Sequence, residues 1–311
     1  MCYNSCPWFE PWVERCRKPR GERCWEEIPD EEERLHALVE EDSEETMQMT
    51  AIRASSLPEL FDCPARWEAK HLCGRRLPRS AAAQLGTAVH AGAAVFDVQR
   101  ILGSPITPDD AAGEVVDAIH HPREDVDWGE DSPREAERIA LALHGLYCRD
   151  IAPARNYVAV EATCERLEIT DLGLALTGTT DRITTNALGD LGIADIKTGK
   201  TAVAADGTVR TAGHAAQIGV YELLAGAAIG QPITAPAEII GLQVAKTDKG
   251  RRAAVGVITG ARELLVGTEE QPGLLQMAAR MIRSGDFYGN PKSQTCTEKY
   301  CPVFHGCRWR R

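Results

Sequence analysis

Two aspartates and a lysine lie close together in the middle of the chain, in a pattern suited to metal-assisted hydrolysis. Asp181 and Asp195 each lie in a short apolar run typical of a β-strand, and a turn signal at Asn186 and Gly189 separates the runs. A hairpin there would place both carboxylates at one end of a sheet. Because side chains alternate along a strand, Asp195 and Lys197 would project from the same face. Two acids can hold a divalent cation that polarises a phosphate and activates water, and an amine can orient that water or offset the developing charge.

Two predicted helices carry further polar side chains toward this hairpin. Gln217 and Tyr221 are four residues apart in a helix predicted over residues 212–229, so they share one face of it. They could bond a phosphate, or they could form the half-buried edge of the helix. His90 lies beside the apolar stripe of a helix predicted over residues 81–101, and it could be a third metal ligand or a structural histidine. The spacing leaves these alternatives open.

The end of the chain holds a second group of residues with metal-ligand chemistry. Cys296, Cys301 and Cys307 lie within twelve residues of one another, and a distant cysteine could complete a four-thiolate site. Cys63, which precedes Pro64 near the start of the first predicted core helix, is the natural fourth ligand. Such a site would join the end of the chain to its beginning. The spacing does not decide between an iron–sulfur cluster and zinc, and unligated thiols are the remaining alternative.

Length and composition describe a protein with a full hydrophobic core. The chain has 311 residues, of which 43% are hydrophobic, enough for one large domain or a domain with an appendage. No apolar run approaches the eighteen or so residues that a membrane span needs. The N-terminus lacks the apolar segment of a signal peptide, so we expect a cytoplasmic protein. For the eleven cysteines, metal binding is then favoured over a disulfide framework.

The charge of the chain is concentrated in one segment. The formal net charge is -11, which disfavours contact with nucleic acid. However, residues 26–45 contain eleven acidic residues and one basic residue, so the rest of the chain is close to neutral and could carry a basic groove. We interpret the acidic run as a solvated helix or linker, with a DNA mimic that covers the groove as the alternative.

Hydrophobic periodicity predicts helices first, a mixed sheet in the middle and helices after it. The predicted helices cover residues 56–72, 81–101, 111–119, 133–150, 212–229 and 269–284. The predicted strands cover residues 157–162, 166–169, 174–178, 239–246 and 253–258, in addition to the runs around Asp181 and Asp195. This order indicates an α/β or α+β sandwich.

Six segments, taken in order, resemble the RecB-like branch of the PD-(D/E)XK nucleases. Its iron–sulfur members are the most similar, namely phage exonucleases and CRISPR-associated four-cysteine nucleases. The segments are residues 56–67, 86–90, 178–183, 195–199 and 217–221 and the three cysteines of the tail. The resemblance implies an α/β fold with a restriction-endonuclease-like core: a central mixed β-sheet flanked by helices over residues 51–311, ending in the cysteine-rich tail. Residues 1–50 would be a cysteine-rich and then acidic N-terminal extension.

The resemblance also implies a function and a set of site residues. It implies a metal-dependent DNA nuclease, an exonuclease that acts on single-stranded DNA or duplex ends in recombination, repair or phage DNA processing. Other recombination or repair proteins are expected partners, and a membrane is not. The implied ligands of Mg²⁺ or Mn²⁺ are His90, Asp181, Asp195 and the backbone carbonyl of Ile196. The resemblance also implies that Lys197 is the catalytic lysine and that Gln217 and Tyr221 face the DNA. The implied ligands of a [4Fe–4S] cluster are Cys63, Cys296, Cys301 and Cys307.

The chain departs from the family pattern at two positions. Asp195 stands where many relatives have glutamate, which shortens the ligand. Four residues separate Cys296 from Cys301, where several relatives have two.

Three further interpretations remain beside this one. A non-catalytic DNA-binding recombination partner could keep the same fold. Residues 194–201 nearly fit a phosphate-binding loop of an ATPase, but Ala194 replaces the first glycine and no convincing helix follows. Cys2, Cys6, Cys16 and Cys24 could bind zinc, or they could belong to a poorly ordered extension.

Basic side chains are candidates for contact with a DNA backbone, which would be bound with little sequence preference. Solvated surface charge is the alternative for each. The candidates are Arg182, Lys200, Arg251, Arg252, Arg308, Arg310 and Arg311.

Overall fold

Two hydrophobic cores lie on opposite faces of one mixed β-sheet. The computed structural model describes residues 49–310, and these contain a six-stranded sheet with helices packed on it. The strands are β1 (Thr50–Arg53), β4 (Tyr157–Ile169), β5 (Leu174–Thr185), β6 (Leu191–Gly199), β7 (Ala237–Gln243) and β8 (Arg252–Ile258). The short strands β2 (Arg79–Ser80) and β3 (Val126–Asp127) pair separately.

The sheet is ordered β1-β5-β6-β7-β8, and β4 pairs with the other side of β5. Strand β5 is antiparallel to both β4 and β6 and parallel to β1. Strands β6 and β7 are parallel, and β8 is antiparallel to β7. The two acid-bearing runs of the sequence therefore form neighbouring antiparallel strands in the middle of the sheet.

The helices begin at residues that favour helix N-termini. Ser80 accepts a hydrogen bond from the Ala83 amide at 3.3 Å, and Thr107 and Asp110 form a capping box. The helices are α1 (Leu57–Asp62), α2 (Pro64–His71), α3 (Ala81–Ile101), α4 (Pro108–His120), α5 (Pro133–Leu146), α6 (Ala215–Ile229), α7 (Ala261–Val266) and α8 (Leu274–Ser284).

Alternation along the central strands assigns side chains to the two cores. Ile193 and Ile239 are buried in the core that contains α1, α6, α7 and α8. Ile196 and Ile240 are buried on the opposite face, in the core that contains α3, α4 and α5. Because a central strand is buried on both faces, its sequence is almost continuously apolar, as in Ala237–Gln243.

The predicted fold class is confirmed, and the largest local difference lies at Cys63. The helix predicted over residues 56–72 is broken there, because the Cys63 backbone has φ -150° and ψ 89° and Pro64 opens a new helix. The two strands predicted over residues 157–169 form one strand, with a register irregularity between Cys164 and Leu167. Helix α3 has the predicted bounds.

Further differences concern the ends of elements. Helix α5 ends at Leu146 and continues as a π-helical turn, Tyr147–Ile151. Helix α8 begins at Leu274 rather than at residue 269, and the short helix α7 was not predicted.

None of the helices among residues 49–310 is long and apolar enough to cross a membrane. The acidic run and the zinc site predicted at Cys2, Cys6, Cys16 and Cys24 lie outside the described residues.

Candidate active site

One pocket contains all seven of the residues predicted for the hydrolytic site. It lies between the N-terminal half of α3, strands β4 to β6 and the start of α6. The predicted residues that line it are His90, Asp181, Asp195, Ile196, Lys197, Gln217 and Tyr221. The other lining residues are Ala82, Ala83, Gly86, Thr87, Glu161 and Thr198.

Asp181 is buried at the centre of this pocket and is held from two sides. Its Oδ2 atom accepts a hydrogen bond from the Ile196 amide at 2.8 Å, and its Oδ1 atom lies 3.4 Å from His90 Nδ1. Burial alone would raise the pKa of Asp181, but the charge and hydrogen bond of His90 and the charge of Lys197 lower the pKa overall. The direction of this shift favours the anionic form of Asp181, which is the form that can bind a cation.

Asp195 and Lys197 lie on the same face of β6, as the alternation predicts. Lys197 Nζ is 2.6 Å from Asp195 Oδ2, and the Asp195 side chain is 1% exposed. Lys197 is thus the cation paired with this carboxylate, and no other donor to Oδ2 lies among residues 49–310. Burial and the charge of Asp181 raise the pKa of Asp195, and the Lys197 charge offsets only part of this.

His90 connects helix α3 to both acid-bearing strands. Its Nε2 atom is 3.0 Å from the carbonyl oxygen of Ile196, which can only accept, so Nε2 carries a proton. Burial lowers the pKa of His90, but the nearby charges of Asp181, Glu161 and Asp195 raise the pKa overall. A cation at this imidazole would therefore compete with a proton.

Glu161 is the member of the pocket that sequence reasoning missed. It lies in β4 across from Asp181, since the flanking residues Val160 and Ala162 pair with Arg182 and Thr180. Its carboxylate, the Asp181 carboxylate and the His90 imidazole each have a ligand atom within 4.8 Å of the others. No local signal marks Glu161, because its approach to Asp181 depends on how β4 pairs with β5.

Gln217 and Tyr221 form a buried pair on α6. The Gln217 Nε2 atom donates a hydrogen bond to the Tyr221 hydroxyl at 2.9 Å, as four-residue spacing on one helix face allows. A side chain at Gly178 would come within 3.1 Å of the Tyr221 ring and 3.2 Å of Ala54 Cβ, so this glycine lets α6 pack against β5. The pair thereby reaches the same pocket as the acids.

A second glycine allows α3 to approach β6. A Cβ atom at Gly86 would lie 2.9 Å from Thr198 Oγ1. This close approach brings His90, one helical turn further along, against the Ile196 carbonyl. The small residues of this turn also leave the pocket open on the α3 side.

The prediction that Arg182 contacts a phosphate is wrong. Its side chain is fully buried, because it points from β5 to the face opposite Asp181. There its Nε atom lies 2.7 Å from Asp97 Oδ2, and its Nη1 atom donates to the Asp181 carbonyl oxygen at 2.7 Å. Arg251 is also buried and is paired with Asp248, so it is not available to DNA either.

The four cysteines predicted to share a site line one small cavity between the start of α2 and the tail. They are Cys63, Cys296, Cys301 and Cys307, and all four are free thiols. Among the described residues, no three of these thiols lie within 4.8 Å of one another. Arg66 and Arg310 also line the cavity and place positive charge beside the sulfur atoms.

A central mixed sheet with two acids and a lysine on adjacent strands is an arrangement found in a class of nucleases. The sequence model of the PD-(D/E)XK nuclease superfamily matches residues 51–308, so the chain belongs to this superfamily.

Two solved structures resemble the chain at low sequence identity. A protein from Eubacterium rectale named "Putative exonuclease" is 14% identical, with a TM-score of 0.46, over 80% of this chain and 87% of that one. The protein SSO0001 is 13% identical, with a TM-score of 0.37, over 90% of this chain and 94% of that one. No curated protein matches the chain.

Proposed function

We propose that this protein is a Mg²⁺- or Mn²⁺-dependent deoxyribonuclease, an exonuclease that hydrolyses DNA phosphodiester bonds. The observation that carries the proposal is that Asp181, Asp195 and Lys197 converge with His90 in one pocket of a nuclease-superfamily fold. The proposed cation ligands are His90, Asp181, Asp195 and the Ile196 carbonyl oxygen.

The side chains of the pocket fit a hard divalent cation. Carboxylate and carbonyl oxygens are the ligands that such cations prefer. Asp195 Oδ2 is buried and contacts only the Lys197 ammonium group among residues 49–310, so this carboxylate can also offer an oxygen ligand. When bound, the cation supplies polarisation of the phosphate and an activated water.

Lys197 and the α6 pair would act on the substrate directly. The Lys197 side chain is partly exposed in the pocket, where its ammonium group can orient the attacking water or offset charge on the phosphate. Gln217 and Tyr221 can contact the DNA backbone from the α6 side, and the small residues around Gly86 let a strand approach from the α3 side. Contacts of this kind are made with the backbone, so little sequence preference is expected.

The test is cleavage of end-labelled single-stranded and duplex DNA with Mg²⁺ or Mn²⁺. We expect Asp195→Asn and Lys197→Ala each to reduce the cleavage rate by at least about 100-fold, because the first removes a charge that would hold the cation and the second removes the ammonium group beside the phosphate. Lys249→Ala is the matched control, since Lys249 is an exposed lysine between β7 and β8, outside the pocket, and should keep full activity.

Full activity in Asp195→Asn or Lys197→Ala would overturn the assignment of the site. DNA binding without cleavage in the unaltered protein would favour the non-catalytic recombination partner instead. We expect an exonuclease to shorten the labelled strand from one end only and to make no internal cuts.

We also propose that Cys63, Cys296, Cys301 and Cys307 hold a [4Fe–4S] cluster. Their shared cavity supports a common site. In such a cluster each thiolate binds a different iron, so the sulfur atoms lie further apart than around one zinc ion, which binds thiolates at about 2.3 Å. Iron and zinc analysis of the purified protein distinguishes the two metals. Three further expectations stay predictions. They are a role in recombination, repair or phage DNA processing, the binding of partner proteins, and a cytoplasmic location.

A further inference from the structure

The cavity that contains the four cysteines of the proposed cluster also contains a buried guanidinium group. Arg66 and Arg310 are the cationic residues that line this cavity, and none of the described residues that line it is acidic. Arg310 is exposed, with its Cζ atom 3.4 Å from the centre of the Phe304 ring. Arg66, in contrast, is 5% exposed. Water therefore screens the charge of Arg310 far more than the charge of Arg66.

Two of the three nitrogen atoms of the Arg66 guanidinium have acidic partners. Its Nε atom lies 2.7 Å from Glu59 Oε1, and its Nη2 atom lies 3.0 Å from Asp62 Oδ2. Its Nη1 atom is buried and has no acceptor among residues 49–310. Because a buried N–H group without an acceptor destabilises a fold, nearly all such groups in proteins are paired. A residue that lines the cysteine cavity thus keeps one donor atom for a partner there.

Hydrogen bonds around Asp62 hold the tail against Arg66. Ser293 Oγ donates to Asp62 Oδ2 at 2.6 Å, and the same oxygen accepts from Arg66 Nη2. The Asn290 side chain donates to the Asp62 carbonyl oxygen at 3.0 Å, and the Asn290 amide donates to Cys63 Sγ at 3.4 Å. These contacts fix the guanidinium relative to Cys63 and to the segment that leads into the tail cysteines.

A cluster bound by four thiolates is stabilised by positive charge and by hydrogen-bond donors around it. The thiolates carry more negative charge than the iron–sulfur core carries positive charge, so the assembled cluster is an anion whose sulfur atoms accept hydrogen bonds. Reduction adds one more negative charge. A nearby cation therefore stabilises the reduced form more than the oxidised form, and most strongly where water is excluded.

We propose that Arg66 donates a hydrogen bond from Nη1 to a sulfur atom of the cluster and raises the reduction potential of the cluster. This inference rests on the proposed cluster and names the residue that tunes it. The same guanidinium contacts Glu59 and Asp62, so the ion pairs between α1 and α2 are coupled to the cluster. Neutralising Arg66 and neutralising one of its acidic partners should then change the potential in opposite directions.

The experiment is a potentiometric titration of the anaerobically purified full-length protein, followed by electron paramagnetic resonance of the reduced cluster. We expect Arg66→Met to lower the reduction potential, because both the donor and the positive charge are lost. Arg66→Lys keeps the charge, so its potential should lie between those of Arg66→Met and the unaltered protein. Glu59→Gln should raise the potential, because the guanidinium then has one acidic partner fewer.

Lys70→Met is the matched control. Lys70 pairs with the same Glu59 carboxylate, but it does not line the cysteine cavity. Its replacement breaks an ion pair of the same cluster of charges and leaves Arg66 in place. The potential should therefore shift less in Lys70→Met than in Arg66→Met.

The signs of the shifts separate a charge effect from a structural one. Arg66→Met and Glu59→Gln break the same ion pair, so a purely structural effect would move the potential in the same direction in both. Shifts of the same sign, or an unchanged potential in folded, iron-containing Arg66→Met, would refute the role of Arg66. If Arg66→Met does not assemble the cluster, a lowered potential in Glu59→Gln refutes it instead.

The proposals can fail separately. Iron analysis and thermal melting show whether each variant is loaded and folded. An unaltered protein without iron defeats the cluster and, with it, the role of Arg66. A loaded cluster whose potential does not respond to Arg66 defeats this inference alone, and the cleavage assay tests the nuclease independently of both.

Discussion

Beneath the candidate active site, Arg182 and Asp97 form an ion pair whose side chains are both fully buried. The Arg182 guanidinium also holds the Asp181 carbonyl oxygen, and Asp97 accepts a hydrogen bond from the Tyr147 hydroxyl. Asp97 and His90 lie on the same helix, so the pair ties α3 to β5 below the ligands. We assign Arg182 and Asp97 as positioning residues, since they act on the site through Asp181 and Glu161.

Removing one member of this pair is expected to destabilise the protein strongly. Asp97→Asn or Arg182→Met leaves a buried charge without its partner, and such changes cost about 3 to 5 kcal/mol. Replacing both residues, as in Asp97→Leu with Arg182→Met, should cost less than the sum of the single changes because neither charge is then left alone. Urea unfolding of the three variants measures this. Strictly additive losses would show that the pair is not coupled.

At the scale of elements, the angle between α1 and α2 is fixed by an ion cluster around Glu59. Its carboxylate lies 2.7 Å from Arg66 Nε and 2.8 Å from Lys70 Nζ, and His71 lies 3.5 Å away. The helix break at Cys63 lets α2 turn back toward Glu59. This arrangement also holds Cys63 against the cavity of the tail.

The same cluster predicts how stability depends on pH. Burial raises the pKa of Glu59, but hydrogen bonds from His71 and Lys70 and the charge of Arg66 outweigh it and lower the pKa to about 2. Because the pKa is lower in the folded state, the cluster stabilises the protein above pH 4.5 or so, and this stability is lost as the pH falls toward 2.

Glu59→Gln should therefore lower the free energy of unfolding by about 2 to 3 kcal/mol at pH 7, and by progressively less below pH 4. Urea unfolding at pH 7 and pH 3 makes the comparison. Glu269→Gln, at an exposed position, should have little effect at either pH. A loss that is equally large at both pH values would mean that packing, and not charge, is responsible.

For the whole molecule, the proposed cluster joins parts of the chain that are far apart in sequence. Cys63 lies at the first helix break, whereas Cys296, Cys301 and Cys307 lie after the last long helix. A link between them closes nearly the whole described chain into one loop, and such a link stabilises a fold by restricting the unfolded state.

Anaerobically purified protein should carry about four irons per chain and absorb in the visible range. Cys307→Ser should lose this iron and unfold at a lower temperature, because the loop is no longer closed. Cys164→Ala is the control, since Cys164 is a buried free thiol on β4 outside the cavity and its replacement should leave the iron content unchanged. If the unaltered protein contains zinc and no iron, the four cysteines form a zinc site and not a cluster. If it contains no metal, both the cluster and the zinc site are refuted.

Features that depend on short-range periodicity could be predicted without a structure. The two-residue alternation of a strand determines that Asp195 and Lys197 share a face, and the four-residue spacing on α6 determines that Gln217 contacts Tyr221. The capped, apolar helix α3 was likewise predictable over its full length. Each of these depends on residues a few positions apart.

Long-range pairing decided the rest. Glu161 lies beside Asp181 only because β4 pairs with β5 in one register, and Arg182 is buried only because helices cover the second face of β5. The meeting of Cys63 with the tail likewise required the break between α1 and α2. Local sequence specifies which face a side chain takes along its own strand or helix. What lies opposite that face depends on strand register and layer packing, which bring together residues far apart in the chain.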